Sequence, residues 1–156
     1  MRITLMQNGK TRDSFIEEGV EEFRKRVIRY APFSMETIPD LKGSRNMTMK
    51  EVQVNEGRLL LKRIKPGDYL LLLDERGREF TSIEFAEHLN SLEGRVNHLI
   101  FVIGGPYGFS EEVYGRANAR LSLSRLTFSH QLVRVLFMEQ LYRAFTILKG
   151  EPYHHE

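Results

Sequence analysis

The 156-residue sequence predicts an α/β protein whose sheet is largely parallel and flanked by helices. Three observations carry that expectation. Short apolar segments of strand length alternate with helical patterns along the whole chain. Tyr69–Leu73 (YLLLL) is apolar without alternation, as a strand covered on both faces must be. Two helices announce their starts with Thr-x-x-Glu capping boxes, Thr48–Glu51 and Thr81–Glu84.

Arg2–Met6 reads as the first strand, and Gly9 marks the turn after it. Thr11 or Asp13 can cap a helix reaching about Tyr30, with Phe15, Ile16, Val20, Phe23 and Val27 on its apolar face. Arg24, Lys25, Arg26 and Arg29 crowd its last turns. Cations there suit the helix dipole, and they equally suit an anionic partner. Pro32 stops the helix, Phe33–Ile38 is a second strand, and Asp40–Met47 is a loop with Lys42 and Arg45 exposed. The helix from Thr48 runs to about Lys65, with Val52, Leu59, Leu60 and Ile64 inward. Tyr69–Leu73 is followed by Asp74-Glu75-Arg76-Gly77. A helix then spans the second capping box to Leu92, and His98–Ile103 is the next strand. Gly104–Gly108 form a loop, and Ser110 caps a short helix to about Asn118. In Leu121–Arg134, Leu121 and Leu123 alternate with serines as in a half-buried strand. Ser129 then caps a long helix to Lys149, stopped by Gly150.

That last helix carries apolar residues on more than one face, among them Leu132, Leu136, Phe137, Leu141, Phe145 and Leu148. Such a helix needs cover on a second side. A second subunit is the expected cover, so the chain is predicted to form a two-fold homodimer through this helix, at Leu136 and Phe137 in particular.

One domain over residues 1–156 accounts for the length. There are no cysteines, hence no disulfide framework and no thiolate chemistry. MRITLMQNGK is too short and polar for a signal peptide, and no apolar run approaches a membrane span, so a cytoplasmic protein without membrane contact is expected. Residues 1–65 hold 14 Lys/Arg against 9 Asp/Glu, and residues 66–156 hold 9 against 12. A basic N-terminal half suits RNA, although solvated helix faces account for it equally well.

Chemistry concentrates late in the chain. Gly104-Gly105-Pro106-Tyr107-Gly108 follows a strand and precedes a helix cap, where glycines let the backbone approach a ligand. It matches neither a dinucleotide fingerprint nor a Walker A motif, and a tight turn with no ligand fits it as well. The tail, Tyr153-His154-His155, offers a phenol and two imidazoles that titrate near neutrality. No set of ligands at metal spacing accompanies it, and no metal is expected. His130 stands at a helix start, which disfavours its cation. Arg134 and Arg143 lie further along the same helix, and Glu139 is placed to pair with Arg143.

Taken with MRITL at the start, the segments FVIGGPYGFSEEV, LSLSRLTFSHQLVR and EQLYRAFTILKGEPYHHE resemble the RlmH-type methyltransferases. These are small SPOUT-class enzymes that methylate a pseudouridine at N3 in bacterial large-subunit (23S) ribosomal RNA. The resemblance covers essentially the whole chain. It implies an α/β knot, in which the C-terminal stretch forms a deep trefoil knot, and it implies a homodimer. Unaided topology rules would have argued against a knot. It also implies S-adenosyl-L-methionine as methyl donor. Carried over by position, the donor would be held by Leu73, by Gly105 with Gly104 and Gly108 in its loop, and by Ser124, Arg125, Leu126, Thr127, Phe128 and Ser129. Leu72, Leu73, Ile103 and Leu126 would supply apolar walls.

The acceptor nitrogen must lose a proton. On that family reading His154 or His155 accepts it, Tyr153 orients the imidazole, and Arg143 or Arg134 stabilises the developing anion, with His130 a further candidate. Lys42, Arg45 and the basic residues of the first two helices, Arg24, Lys25 and Arg29 among them, would contact phosphates of the ribosome. A non-catalytic RNA- or ribosome-binding protein on the same scaffold, or a nucleotide-dependent enzyme of small molecules, are the competing readings.

Overall fold

The computed structural model describes residues 1–155; Glu156, the last residue of the tail, lies outside them. Five strands form one sheet: β1 (Arg2–Asn8), β2 (Phe33–Ile38), β3 (Tyr69–Glu79), β4 (His98–Ile103) and β5 (Ala119–Ser122). Five α-helices accompany them: α1 (Ser14–Val27), α2 (Met49–Leu61), α3 (Ser82–Leu92), α4 (Glu111–Arg116) and α5 (Leu132–Leu148). The strand order is β2-β1-β4-β3-β5, and every pairing is parallel.

Strand alternation divides the core. Ile3, Leu5, Leu71, Leu99, Phe101 and Ile103 turn toward α1, α3 and α5. Met6, Leu70, Leu72, Ile100 and Val102 turn toward the other layer, which α2 and α4 cover. Both sets are almost fully buried, which is why YLLLL and HLIFVI carry no polar alternation. At the amino ends of the strands a polar chain joins neighbours. His98 Nε2 meets Thr4 Oγ1 at 2.7 Å, Thr4 meets Ser34 Oγ at 3.1 Å, and His98 Nδ1 meets Asp68 at 3.1 Å.

The helix signals hold in kind but not in every detail. The Thr81–Glu84 box is complete, with Thr81 Oγ1 accepting from the Glu84 N–H (3.1 Å) and the Glu84 carboxylate accepting from the Thr81 N–H (2.7 Å). Only half of the Thr48–Glu51 box forms. Thr48 accepts from the Glu51 N–H, but the Glu51 carboxylate takes the Thr48 hydroxyl rather than the backbone. The expected strand at Tyr69–Leu73 continues to Glu79, because after an irregularity Arg78 and Glu79 rejoin β5 beside Leu121 and Ser122. Regular helix begins at Leu132, yet Ser129 supplies the predicted cap: its hydroxyl accepts from Leu132 N–H (3.0 Å) and its carbonyl from Val133 N–H (3.1 Å).

The surplus apolar surface of the last helix is covered differently from expectation. α5 lies on the sheet between α1 and α3, so two of its flanks are covered inside the chain. Val135 packs against Gly19 of α1, and Phe137 meets Phe101 in a tilted contact with ring centroids 4.8 Å apart. Phe137 is fully buried. Truncating such a ring costs about 3–5 kcal/mol, so Phe137 belongs to the core and not to a subunit face. What remains outward on α5 begins at Leu132, 40% exposed, passes the half-buried Leu136 and ends at Leu148.

Candidate active site

A cleft of about 430 Å³ opens at the carboxyl ends of β4 and β5 and at Leu73–Glu75 of β3, where its pairing with β4 ends; parallel sheets collect loops and backbone N–H groups at such ends. Three loops and the start of α5 enclose it. Leu73, Asp74 and Glu75 come from β3. Ile103, Gly104, Gly105, Pro106, Gly108 and Phe109 come from the end of β4 and its loop. The end of β5 contributes Leu121 and Ser122, the stretch after it contributes Leu123, Ser124 and Leu126–His130, and Val133 closes the cleft from the first turn of α5.

Local chemistry explains these loops. Gly108 has φ +72°, a left-handed conformation that glycine adopts without a steric penalty. A Cβ on Gly105 would stand 2.9 Å from a carboxylate oxygen of Glu56, so any larger residue there would displace that side chain. After β5, the Ser124 hydroxyl accepts from Leu126 N–H (3.0 Å) and the Ser124 carbonyl accepts from the Ser122 hydroxyl (3.0 Å), turning the chain over the sheet. Gln131 then ties it down, with Oε1 accepting from Arg12 N–H (2.9 Å) and Nε2 donating to Lys10 O (3.1 Å).

Ten of the twelve residues expected to hold a cofactor line this cleft: Leu73, Ile103, Gly104, Gly105, Gly108, Ser124, Leu126, Thr127, Phe128 and Ser129. Leu72 does not. Strand alternation turns it into the opposite core with Leu60 and Val102. Arg125 does not either; its side chain is 88% exposed and points outward toward Glu79. Asp74, Glu75, Phe109 and Val133 were not anticipated, although the acidic pair directly follows YLLLL and could have been included on that ground.

The six catalytic candidates separate. His130 lines the cleft. Burial, then the nearby Arg134 and Arg12 guanidiniums, hold its pKa below the ordinary imidazole value, with Asp40 opposing them. Arg134 is buried and turned away. Its guanidinium donates to Asn8 O (2.7 Å), Gly9 O (3.1 Å), Thr11 Oγ1 (3.0 Å) and His130 O (3.2 Å), fastening the start of α5 to the end of β1. These bonds leave Arg134 a fastening role in place of the expected anion contact.

Arg143, Tyr153, His154 and His155 gather at the far end of α5. Val133 and Arg143 are ten residues apart on that helix, about 15 Å at 1.5 Å per residue. There Glu139 accepts from the Tyr153 hydroxyl (3.0 Å) and from Arg143, and Arg143 Nη1 meets His154 Nδ1 at 3.1 Å. A guanidinium has no acceptor, so Nδ1 accepts and the ring proton sits on Nε2. Tyr153 packs on Tyr142 (4.7 Å) under the Arg143 guanidinium, and burial followed by Glu139 raises its pKa. His155 is exposed.

The expected phosphate contacts also fall at two ends. Lys42 and Arg45 are exposed in the loop after β2, at the cleft end of the sheet. Lys25 and Arg29 sit with Tyr30, Tyr142 and Glu151 near the tail, whereas Arg24 is drawn into an ion pair with Glu21 at 2.6 Å. Among the described residues no group of three His, Cys, Asp or Glu can hold a metal ion, and no helix is long and apolar enough to cross a membrane.

Comparison with other proteins is uniform. The family described as "Predicted SPOUT methyltransferase" matches residues 1–154. A protein of Parabacteroides distasonis named "Ribosomal RNA large subunit methyltransferase H" is 50% identical over the full length of both chains. A protein of the same name from Christiangramia forsetii is 49% identical, covering 99% of each. Among solved structures, a Legionella pneumophila protein described as a methyltransferase, in complex with the bound cofactor SAM, superposes with a TM-score of 0.51 at 12% identity. The match covers 92% of this chain and 66% of that one. A methylase family protein of Haemophilus influenzae superposes with a TM-score of 0.53 at 11% identity, covering 99% of this chain and 70% of that one.

Proposed function

The chain belongs to the SPOUT methyltransferase family, and from that premise we propose that it is a homodimeric enzyme methylating N3 of a pseudouridine in large-subunit ribosomal RNA, with S-adenosylmethionine as donor and the assembled ribosome as substrate. The observation that carries the reading is the cleft formed by β3, β4 and β5, in a chain half identical over its full length to a methyltransferase named for that RNA. The stretch that crosses from β5 to the β1–α1 loop is, on this reading, the threaded part of the knot.

The cleft suits the donor in size and chemistry. Leu73, Ile103, Leu121 and Val133 offer apolar walls for a nucleoside, and the glycine loop brings backbone groups to its polar edge. When bound, S-adenosylmethionine supplies a methyl group that its sulfonium has already activated. The protein then has to orient the acceptor and remove one proton. Ser129 and the first N–H groups of α5 meet polar parts of the donor.

The tail supplies the proton acceptor. His155 is exposed, while His154 is engaged with Arg143 through Nδ1. Arg143, held by Glu139, would stabilise an oxyanion of the base. The length of α5 between tail and cleft supports a composite arrangement, in which the tail of one subunit serves the cleft of its partner. The exposed Leu126 and Leu132 beside the cleft are apolar surface such a partner would cover. A specific observation favours a second acceptor, His130: it lines the cleft of its own chain, and its surroundings favour the neutral imidazole. Lys42, Arg45, Lys25 and Arg29 then serve as phosphate contacts, and binding to ribosomes weakens with salt.

The test is transfer of tritiated methyl groups to large subunits isolated from cells lacking the protein, followed by mapping of the label. Label at N3 of one pseudouridine is expected. Label on another base, or none with S-adenosylmethionine bound, would sink the assignment.

A further inference from the structure

Glu56 is a side chain that the sequence offers no reason to select, and it lies beside the cleft. It projects from α2 against Gly105, where either carboxylate oxygen stands within 3.0 Å of the place a Cβ would occupy. Nearby on the same helix, Gln53 Nε2 donates to Tyr107 O (2.9 Å), so α2 grips the glycine loop at two points. Glu56 Oε1 is buried and has no hydrogen-bond partner. A buried acceptor left unpaired is costly, and a carboxylate oxygen more so than most.

Among the described residues no cation is set against it. Burial, then the charge of Asp40, pushes the Glu56 pKa up, and no basic residue pulls it down. Arg134, a buried guanidinium, is engaged by backbone carbonyls and Thr11. Arg12 and Arg134 act on His130 instead, as does Asp40 from the loop after β2. The cleft itself carries Asp74 and Glu75, and among the described residues no Lys or Arg lines it. An acidic margin of this kind suits a ligand with net positive charge. S-adenosylmethionine is one, with a sulfonium and an ammonium against a single carboxylate.

We propose that Glu56, with Asp40 behind it, receives the ammonium of the methionine end of S-adenosylmethionine. The inference rests on the donor assigned above. It gives the orphaned oxygen a partner and gives α2 a part in binding beyond supporting the loop. It also makes binding proton-linked, since an arriving cation favours the ionised carboxylate and expels any proton held there.

Calorimetric titration of the full-length protein with S-adenosylmethionine and with 5′-methylthioadenosine tests this, because the second ligand keeps the nucleoside and its sulfur and lacks the amino acid together with the sulfonium charge. Glu56→Gln is expected to weaken S-adenosylmethionine about tenfold or more. It should leave 5′-methylthioadenosine within about twofold of wild type. Asp40→Asn should weaken S-adenosylmethionine in the same sense and less. Titrations in buffers of different ionisation enthalpy should show wild-type binding releasing protons at pH values above the ordinary carboxyl value of 4.5, and Glu56→Gln binding releasing fewer. Unchanged S-adenosylmethionine affinity in Glu56→Gln would overturn the proposal. So would an equal loss for both ligands, which would make Glu56 a support of the glycine loop alone. A wild-type protein that binds no S-adenosylmethionine would instead remove the donor assignment beneath it.

Discussion

Arg134 and Glu56 are opposite cases of a buried charge. Arg134 heads the fully buried side chains by size, and four of its hydrogen bonds stay inside the chain. Burial and Arg12 lower its pKa, yet a guanidinium so bonded remains a cation. Glu56 keeps an unpaired oxygen, and its stability consequence has a definite sign. Its folded pKa lies above the ordinary 4.5, so the folded chain takes up a proton before the unfolded chain does. The ionised form is therefore a burden above the raised value, and the burden lifts as pH falls through it. Ligand-free Glu56→Gln should melt above wild type near neutral pH. The gap should close as pH is lowered toward 4.5, the unfolded value. Thermal melts at a series of pH values measure this, and a gap that widened on acidification would contradict it.

At the scale of elements, α5 joins three tasks. Its start borders the cleft, its middle fills the core against Phe101, and its end holds the tail. Because α1 and α3 cover its flanks, the surface left for a second subunit is smaller than the helix's composition suggests. That surface starts at Leu132, exposed in the isolated chain. Leu132→Asp should therefore leave the melting temperature of a dilute monomer within a few degrees of wild type while weakening self-association. Sedimentation velocity over a concentration series would reveal it. An undiminished dimer would move the interface away from α5. The N-terminal basic cluster illustrates the same limit, since Glu21 and Glu22 bind Arg24 and Arg26 on their own helix and leave Lys25 and Arg29 as its outward charges.

Taken whole, the molecule has two working ends joined by α5. The cleft, His130, Lys42 and Arg45 lie at the carboxyl ends of the strands. The tail, Arg143, Lys25 and Arg29 lie at the other end. A dimer that brings each tail to the partner's cleft predicts complementation. Protein lacking residues 151–156 and protein carrying Gly105→Val should each be nearly inactive. Mixed and allowed to exchange subunits, they should recover about a quarter of wild-type activity, one competent site in half of the dimers when subunits pair at random. Single-turnover methyl transfer on the mixture measures this. Full activity in the tail-deleted protein alone would instead favour His130 as proton acceptor within one chain.

The amino-acid sequence by itself determined the class of fold, the order of its elements and the loops that carry the cleft. These rest on local physics: an apolar run without alternation must be buried on both faces, a Thr-x-x-Glu pattern satisfies free N–H groups, and a serine can cap a helix. Glycines next to a strand end fitted a bare turn as well as a ligand loop, and only the family resemblance singled them out. Tertiary structure alone decided the rest. Strand pleating turned Leu72 away from the cleft, and the closing bonds of Arg134 withdrew it from the surface. Helix length separated the tail from the cleft of its own chain. Glu56 became noticeable only when α2 packed on Gly105. Each of these depends on which distant residue arrives as partner, and that is fixed by packing across the sheet and not by neighbours in the chain.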